Sequence, residues 1–200
     1  MLKYRVVNFD PHVVIVGYVL NDPECDPIQP LHAYFVTHAW WQPYRLLTLA
    51  AQVEADWDRE RLGGGDYYVY LHAQGQRKWQ SVVDAFSDIR EVALRHQMKV
   101  LVVIFPMVTP SFKGKPWTQY PYTGLHKQVA DLAASNGFRI VDLLGAFSAY
   151  PSQELVFPAG DDHPNVHGHE VAARAIEQGL LSQFSYFFDL NSTGPATASN

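Results

Sequence analysis

Residues 100–106 read VLVVIFP, a run of six apolar residues stopped by a proline, and this stretch decides the fold. A continuous apolar run of that length is typical of a strand buried on both faces of a parallel sheet, because a half-exposed strand would alternate apolar and polar residues. Residues 13–17 (VVIVG) and 138–144 (FRIVDLL) have the same character and predict two further strands.

Helical patterns lie between and after these strands. Apolar residues recur at the three- and four-residue spacing of one buried helical face over residues 79–96, 125–135 and 171–180. Residues 44–57 predict a fourth helix, followed by a break at the three glycines 63–65. Strands that alternate with helices through short connections are typical of an α/β fold with a parallel sheet.

Length and composition set the broad class. A chain of 200 residues that is 48% hydrophobic is expected to form one domain, over residues 1–185, with a small polar tail over residues 186–200 that we expect to be disordered. The net charge is −5 and lysines and arginines form no cluster, so we expect neither nucleic acid nor an anionic membrane as the main partner. Cys25 is the single cysteine, which excludes a disulfide framework and a cysteine-based zinc site.

The sequence also bears on membranes and export. No apolar run approaches the roughly 18 residues of a transmembrane helix, so no membrane span is expected. The first residues do not have the pattern of a cleavable signal peptide. Localisation stays open at this stage, with the cytoplasm as the default.

Residues 160–169, GDDHPNVHGH, hold the first candidate site. Asp161 lies two residues before His163, and a carboxylate beside an imidazole fixes its tautomer and stabilises its protonated form, as general acid–base catalysis requires. The alternative is a surface histidine in a turn that Asn165 caps at the start of the last helix. A metal site of Asp161, His163, His167 and His169 is disfavoured, because the spacing matches no compact metal motif and the last two histidines would point in different directions.

The second candidate lies at the start of the chain, in VVIVGYVLND (residues 13–22). A buried strand followed by Asn21-Asp22 places polar side chains at the carboxyl edge of a parallel sheet, where open α/β folds hold their sites. The amide of Asn21 can donate to a developing oxyanion. The alternative is that Asn-Asp-Pro is an ordinary turn signal.

Together, these two stretches resemble the third and fifth sequence blocks of the SGNH (GDSL) hydrolases. Between them, KWQSVVDAF, VLVVIFP and LHKQVADLAASNGFRIVDLL follow the helix, strand, helix and strand order of that family. The resemblance covers residues 10–181 and is specific in the two blocks. It implies a flavodoxin-like three-layer α/β/α sandwich that hydrolyses esters without a cofactor or a metal ion.

The resemblance also implies roles for single residues. His163 would be the catalytic base, Asp161 its carboxylate partner and Asn21 one oxyanion-hole donor. The commoner family spacing places the aspartate three residues before the histidine, where this sequence has Gly160. Asp162 is the alternative partner, but an aspartate directly before the histidine would have to fold back on itself to reach the imidazole.

The nucleophile of the family is missing. The sequence contains no Gly-Asp-Ser block and no Gly-x-Ser-x-Gly elbow, and its serines at 81, 87, 111, 135 and 152 lie in predicted helices or follow prolines. By the family's order, the strands before residues 13–17 are missing as well. We therefore expect the C-terminal portion of an SGNH-type serine esterase, with its N-terminal strands missing, and little or no activity from this chain alone.

The expected substrate is a small acyl ester, such as an acetylated sugar or a short-chain lipid. Three aromatic residues of the long loop over residues 107–123, Trp117, Tyr120 and Tyr122, either line its pocket or pack the loop against the core. The alternative functions are a non-catalytic binding module and an Asp/His metal-binding domain.

Overall fold

The computed structural model describes residues 6–24, 57, 60, 61, 63–158 and 163–185. In chain order, its main elements are β1 (Val13–Tyr18), α1 (Tyr67–Leu71), α2 (Arg77–Arg95), β2 (Lys99–Ile104), α3 (Thr123–Ser135), β3 (Arg139–Asp142), α4 (Leu144–Phe147) and α5 (Val166–Gln183). Short 3-10 helices lie at Val6–Phe9, Asp22–Glu24, Trp117–Gln119 and Ser152–Glu154.

The three strands form one parallel sheet in the order β1-β2-β3. Val13 lies opposite Lys99 in the register, and Leu101 lies opposite Arg139. The predicted α/β class with a parallel sheet is therefore confirmed. The predicted strand over residues 100–105 begins and ends one residue earlier, and the third strand is shorter than predicted.

Both faces of β2 are buried, which explains its unbroken apolar sequence. Val102 and Ile104 pack in one core cluster with residues of α2 and α3, whereas Leu101 and Val103 pack in a second cluster with residues of α4 and α5. Every residue of β2 after Lys99 is at most 4% exposed. Helices thus cover the sheet on both faces.

Predicted stop signals act where the chain leaves its helices. Helix α3 ends at Ser135, and Gly137 follows with a φ of +77°, a left-handed conformation that glycine adopts without strain. Gly64 and Gly65 also have positive φ angles, so the predicted break at the glycine triplet is present. These turns return the chain to the sheet within a few residues.

Several predictions fall on residues that the structure does not describe. All but the last residue of the helix predicted over residues 44–57 lies outside the described part, and so do the tail over residues 186–200 and Asp161. Within the described part, no helix is both long and apolar enough to cross a lipid bilayer.

Candidate functional site

A cavity of about 590 Å³ lies at the carboxyl ends of β1 and β2. Its lining comes from four places in the chain: the turn after β1, the segment after β2, helix α1 and the start of α5. The described lining residues are Val19, Asn21, Asp22, Tyr68, Phe105, Pro106, Met107, His163, Pro164 and His169. The structure thus brings Asn21 and His163, the two residues singled out at opposite ends of the sequence, to one cavity.

The Asn21 side of the cavity is a turn closed by its own aspartate. The Val19 N–H donates to Asp22 Oδ2 at 2.8 Å, and the Asp22 N–H donates to the Val19 carbonyl at 2.9 Å. Burial raises the pKa of the Asp22 carboxyl, and the bond from Val19 partly opposes that rise. With Asp22 holding the turn, Asn21 is exposed at the cavity.

The His163 side is held by its backbone. The His163 carbonyl accepts from the Phe157 N–H at 3.1 Å, Pro164 forms an antiparallel bridge with Val156, and the Asn165 N–H donates to the Leu155 carbonyl at 3.0 Å. Residues 163–165 therefore run along residues 155–157 and fix the backbone that carries the imidazole. His163 itself is exposed at the cavity.

Asn165 links this short pairing to helix α5. Its Oδ1 accepts from the Gly168 N–H at 3.0 Å, which caps the helix as predicted. Its Nδ2 donates to the carbonyls of Glu154 and Val156 at 2.9 and 3.0 Å. One side chain therefore joins the helix start to the segment that runs beside His163.

The two later histidines lie in different surroundings, as the sequence predicts. His169 lines the cavity with His163, whereas the ring of His167 packs edge-to-face on Tyr150 with 4.8 Å between ring centroids. Among the described residues, no group of three or more histidines, cysteines, aspartates or glutamates is placed to hold a metal ion. Asp161, a ligand in the metal alternative and the expected partner of His163, lies outside these residues, so its role stays a prediction.

A buried hydrogen-bond chain supports the wall of the cavity, and the sequence contains no signal that predicts it. The Met107 N–H donates to the Tyr120 hydroxyl oxygen at 2.9 Å, and that hydroxyl lies 3.1 Å from His126 Nε2. On the other side of the ring, His126 Nδ1 lies 2.8 Å from Asp142 Oδ1. The carboxylate can only accept, so Nδ1 of His126 carries a proton. These hydrogen bonds fix the backbone at Met107, which lines the cavity.

The aromatic residues of the long loop pack the loop down. Tyr120 and Tyr122 are buried and stand edge-to-face with 5.6 Å between centroids. The Trp117 indole N–H donates to the Tyr150 carbonyl at 2.7 Å, and its ring lies 5.7 Å from that of Tyr120. None of the three is among the residues found to line the cavity, so the structure favours packing over a role in lining this pocket.

The described lining also contains no serine, threonine or cysteine. Ser81 and Ser87 lie in α2, and Ser135 ends α3, as predicted. Ser152 is buried and accepts a hydrogen bond from the Gly114 N–H at 2.9 Å. The described part of the cavity therefore offers the imidazoles of His163 and His169 and the amide of Asn21, but no hydroxyl or thiol of serine, threonine or cysteine.

Comparison with known proteins does not assign the chain to a family: no protein-family model matches it, and no curated protein matches it. The function is therefore argued from the residues and from the geometry of the cavity.

Proposed function

We propose that this chain carries the catalytic base and an oxyanion-hole donor of a serine ester hydrolase of the SGNH type. His163 is the base and Asn21 is the donor. The observation that supports this proposal is that both residues line one cavity at the carboxyl edge of a parallel sheet. This edge is where open α/β folds place their ligands.

His163 supplies the proton transfer in the proposed mechanism. A neutral imidazole takes the proton from an attacking alcohol and then returns it to the leaving alkoxide of the ester. Imidazole suits both steps because its ordinary pKa lies near neutral pH, so that it can both accept and donate a proton there. Asp161 is proposed as the carboxylate that holds the ring in the tautomer with the proton on Nδ1.

Asn21 supplies an uncharged donor for the tetrahedral intermediate. The negative charge develops on the former carbonyl oxygen of the ester, and an amide N–H placed beforehand stabilises it without reorganisation. The removal of one such donor typically lowers kcat by about 10²- to 10³-fold. The hydrogen bonds of the Val19–Asp22 turn hold the backbone of Asn21 for this role.

The cavity suits a small acyl ester. Its volume of about 590 Å³ is modest, and apolar residues of the β2 end, Phe105, Pro106 and Met107, lie in the same lining as the polar pair. An acyl group can contact this apolar wall while its carbonyl lies near Asn21. At the level of the fold, a parallel sheet with helices on both faces supports the flavodoxin-like three-layer sandwich that the resemblance implies.

The nucleophile is the part of the mechanism that this sequence does not supply. Acyl transfer requires an alcohol beside the base, and the family's Gly-Asp-Ser block does not occur in the sequence. The proposal therefore requires a serine from outside these 200 residues. We expect the chain alone to hydrolyse p-nitrophenyl acetate little faster than buffer does.

Binding tests the site on the chain itself. Acetanilide, the amide analogue of phenyl acetate, is titrated while NMR follows the His163 ring and the Asn21 side-chain amide. We expect both signals to shift and saturate together, and His163→Ala or Asn21→Ala to weaken binding. His167→Ala is the matched control, because this histidine packs on Tyr150. A titration that shifts neither signal would contradict the proposal.

Activity tests the mechanism. A longer chain that joins a Gly-Asp-Ser block to these 200 residues is expected to hydrolyse p-nitrophenyl acetate. In that chain, His163→Ala is expected to lower kcat by about 10⁴-fold or more, and Asn21→Ala by about 10²-fold. Activity that survives His163→Ala would refute the base. Turnover by the 200-residue chain that His163→Ala abolishes would refute the expectation that the serine lies outside this sequence.

A further inference from the structure

A second cavity, of about 500 Å³, lies at the opposite edge of the sheet, where β2 and β3 begin. Three cationic side chains line it, and they come from three different elements: Arg90 from α2, Lys99 from β2 and Arg139 from β3. We propose that this cavity, here called the basic cavity, binds a small organic anion, a carboxylate or a phosphate monoester that carries an apolar group.

The charges of the basic cavity are unpaired within the described part of the chain. Arg90, Lys99 and Arg139 form no ion pair there, and no aspartate or glutamate is found among the cavity's described lining residues. Arg77 of α2 also forms no ion pair in the described part, but three other cations, on α2, α3 and α5, each pair with an acidic residue four positions away. These pairs are Arg95–Glu91, Lys127–Asp131 and Arg174–Glu170. In a protein of net charge −5, this concentration of unpaired positive charge favours an anionic ligand.

Helix dipoles do not account for the whole cluster. Helices α2 and α3 end at this edge, and a cation near a helix C-terminus offsets the partial negative charge of its last carbonyls. The effect falls off within the last turn, which in α2 contains Arg95 and not Arg90, so it does not account for Arg90.

The apolar floor of the basic cavity is the reason to expect an apolar group on the ligand. Met98, Phe138 and Phe184 line it and are each at most 7% exposed. The amides of Asn136 and Gln183 also line it, but each already donates a hydrogen bond to a backbone carbonyl. Recognition of the anion therefore falls to the three cations, while the apolar floor accepts the body of the ligand. Guanidinium groups suit this task, since they bind carboxylate and phosphate oxygens in pairs.

The proposal is tested by calorimetric and NMR titration of the 200-residue chain with benzoate, phenyl phosphate and inorganic phosphate, at low and at raised ionic strength. We expect saturable binding of benzoate, of phenyl phosphate or of both, weaker at raised salt and weaker for inorganic phosphate. Arg139→Gln and Lys99→Gln are each expected to raise Kd by about tenfold. The chemical shifts of Phe138 and Phe184 are expected to change on titration, because the phenyl group of the ligand contacts these side chains.

Arg77→Gln is the matched control, because Arg77 is an exposed cation on α2 that is not among the residues found to line the cavity. Its Kd is expected to equal that of the wild-type chain. If Arg77→Gln weakens binding as much as Arg139→Gln, the attraction is general and the site is refuted. If neither benzoate nor phenyl phosphate saturates the protein, the proposal is overturned. Circular dichroism verifies that each variant is folded.

Discussion

At the scale of single residues, His72 shows how burial sets a protonation state. It is 2% exposed, and both ring nitrogens are hydrogen-bonded: Nδ1 lies 2.8 Å from the Tyr68 carbonyl, and Nε2 lies 2.8 Å from the Tyr18 hydroxyl. The carbonyl can only accept, so Nδ1 carries the proton and Nε2 accepts from the tyrosine. Burial is the main cause that lowers the pKa of His72 below its ordinary value.

This lowered pKa predicts a loss of stability in acid. The unfolded chain binds a proton at His72 near the ordinary imidazole pKa of about 6.5, whereas the folded chain binds it only at lower pH. The free energy of unfolding is therefore expected to fall as the pH drops below about 6.5 toward the lowered pKa, by at most about 1.4 kcal/mol per pH unit for this one proton. Urea denaturation across this range measures the slope.

Two variants isolate the contribution of His72. His72→Gln is expected to be less stable near neutral pH and to show a shallower loss of stability in acid. His96→Gln removes an exposed imidazole at the end of α2 and controls for the loss of a histidine in general. If the free energy of unfolding of His72→Gln changes with pH as steeply as that of the wild type, the pKa of His72 does not differ between the folded and unfolded chains.

At the scale of elements, helix α5 is shaped by two close approaches. A Cβ atom on Gly168 would lie 2.2 Å from the Leu155 carbonyl oxygen, and one on Gly179 would lie 2.2 Å from Val141 Cγ2. Each glycine weakens the helix by about 0.5 to 1 kcal/mol relative to alanine. These residues let the start of α5 lie on the segment beside His163 and let its later turns lie on β3.

Gly168→Ala is therefore expected to destabilise the protein by about 1 to 3 kcal/mol, because the backbone at Leu155 has to shift. The start of α5 and the His163 backbone move with it, so the NMR signals of His163 are expected to change as well. Urea denaturation measures the first effect and NMR the second.

Gly124→Ala in α3 is the matched control, since nothing lies within 4 Å of a Cβ atom at that position. It is expected to leave stability unchanged or to raise it by about 0.5 to 1 kcal/mol. A Gly168→Ala variant as stable as the Gly124→Ala variant would show that α5 does not need its close approach to residue 155.

At the scale of the whole molecule, the sheet is unevenly covered. Strand β2 is buried on both faces, but β1 is only partly covered. Tyr18 belongs to the first cluster, Val14 and Val16 are partly buried against it, and Val13 is partly buried against the second cluster, whereas Ile15 is 48% exposed. Within the described part, β1 pairs with β2 alone. An apolar strand with an exposed face and an unpaired edge favours association between molecules.

We therefore expect the chain to self-associate and Ile15→Thr to reduce this association, because threonine keeps the strand preference and removes apolar surface. Sedimentation velocity over a range of concentrations measures the effect. Leu181→Gln is the control, since Leu181 is 49% exposed but lies on α5. An equal effect of both substitutions would indicate general surface hydrophobicity, and no effect of Ile15→Thr would contradict the role of β1.

The sequence by itself determined the three strands and the three long helices of the described part, but not the short helices α1 and α4. The unbroken apolar run at residues 100–105 predicted a buried parallel strand, and the three- and four-residue spacing predicted the helices α2, α3 and α5. It also selected Asn21 and His163 as candidates and Asn165 as a helix cap. Such features depend on neighbours along the chain, because the side-chain periodicity of a helix or strand and the chemistry of a turn are local.

Only the tertiary structure decided which of these residues meet. It placed Asn21 and His163 at one cavity, linked Met107 to His126 through Tyr120, and gathered the three cations of the basic cavity from three elements. Periodicity shows which face of an element is buried, but not which distant element covers it. That choice depends on the packing of helices against both faces of the sheet, where side chains far apart in sequence fill a shared volume.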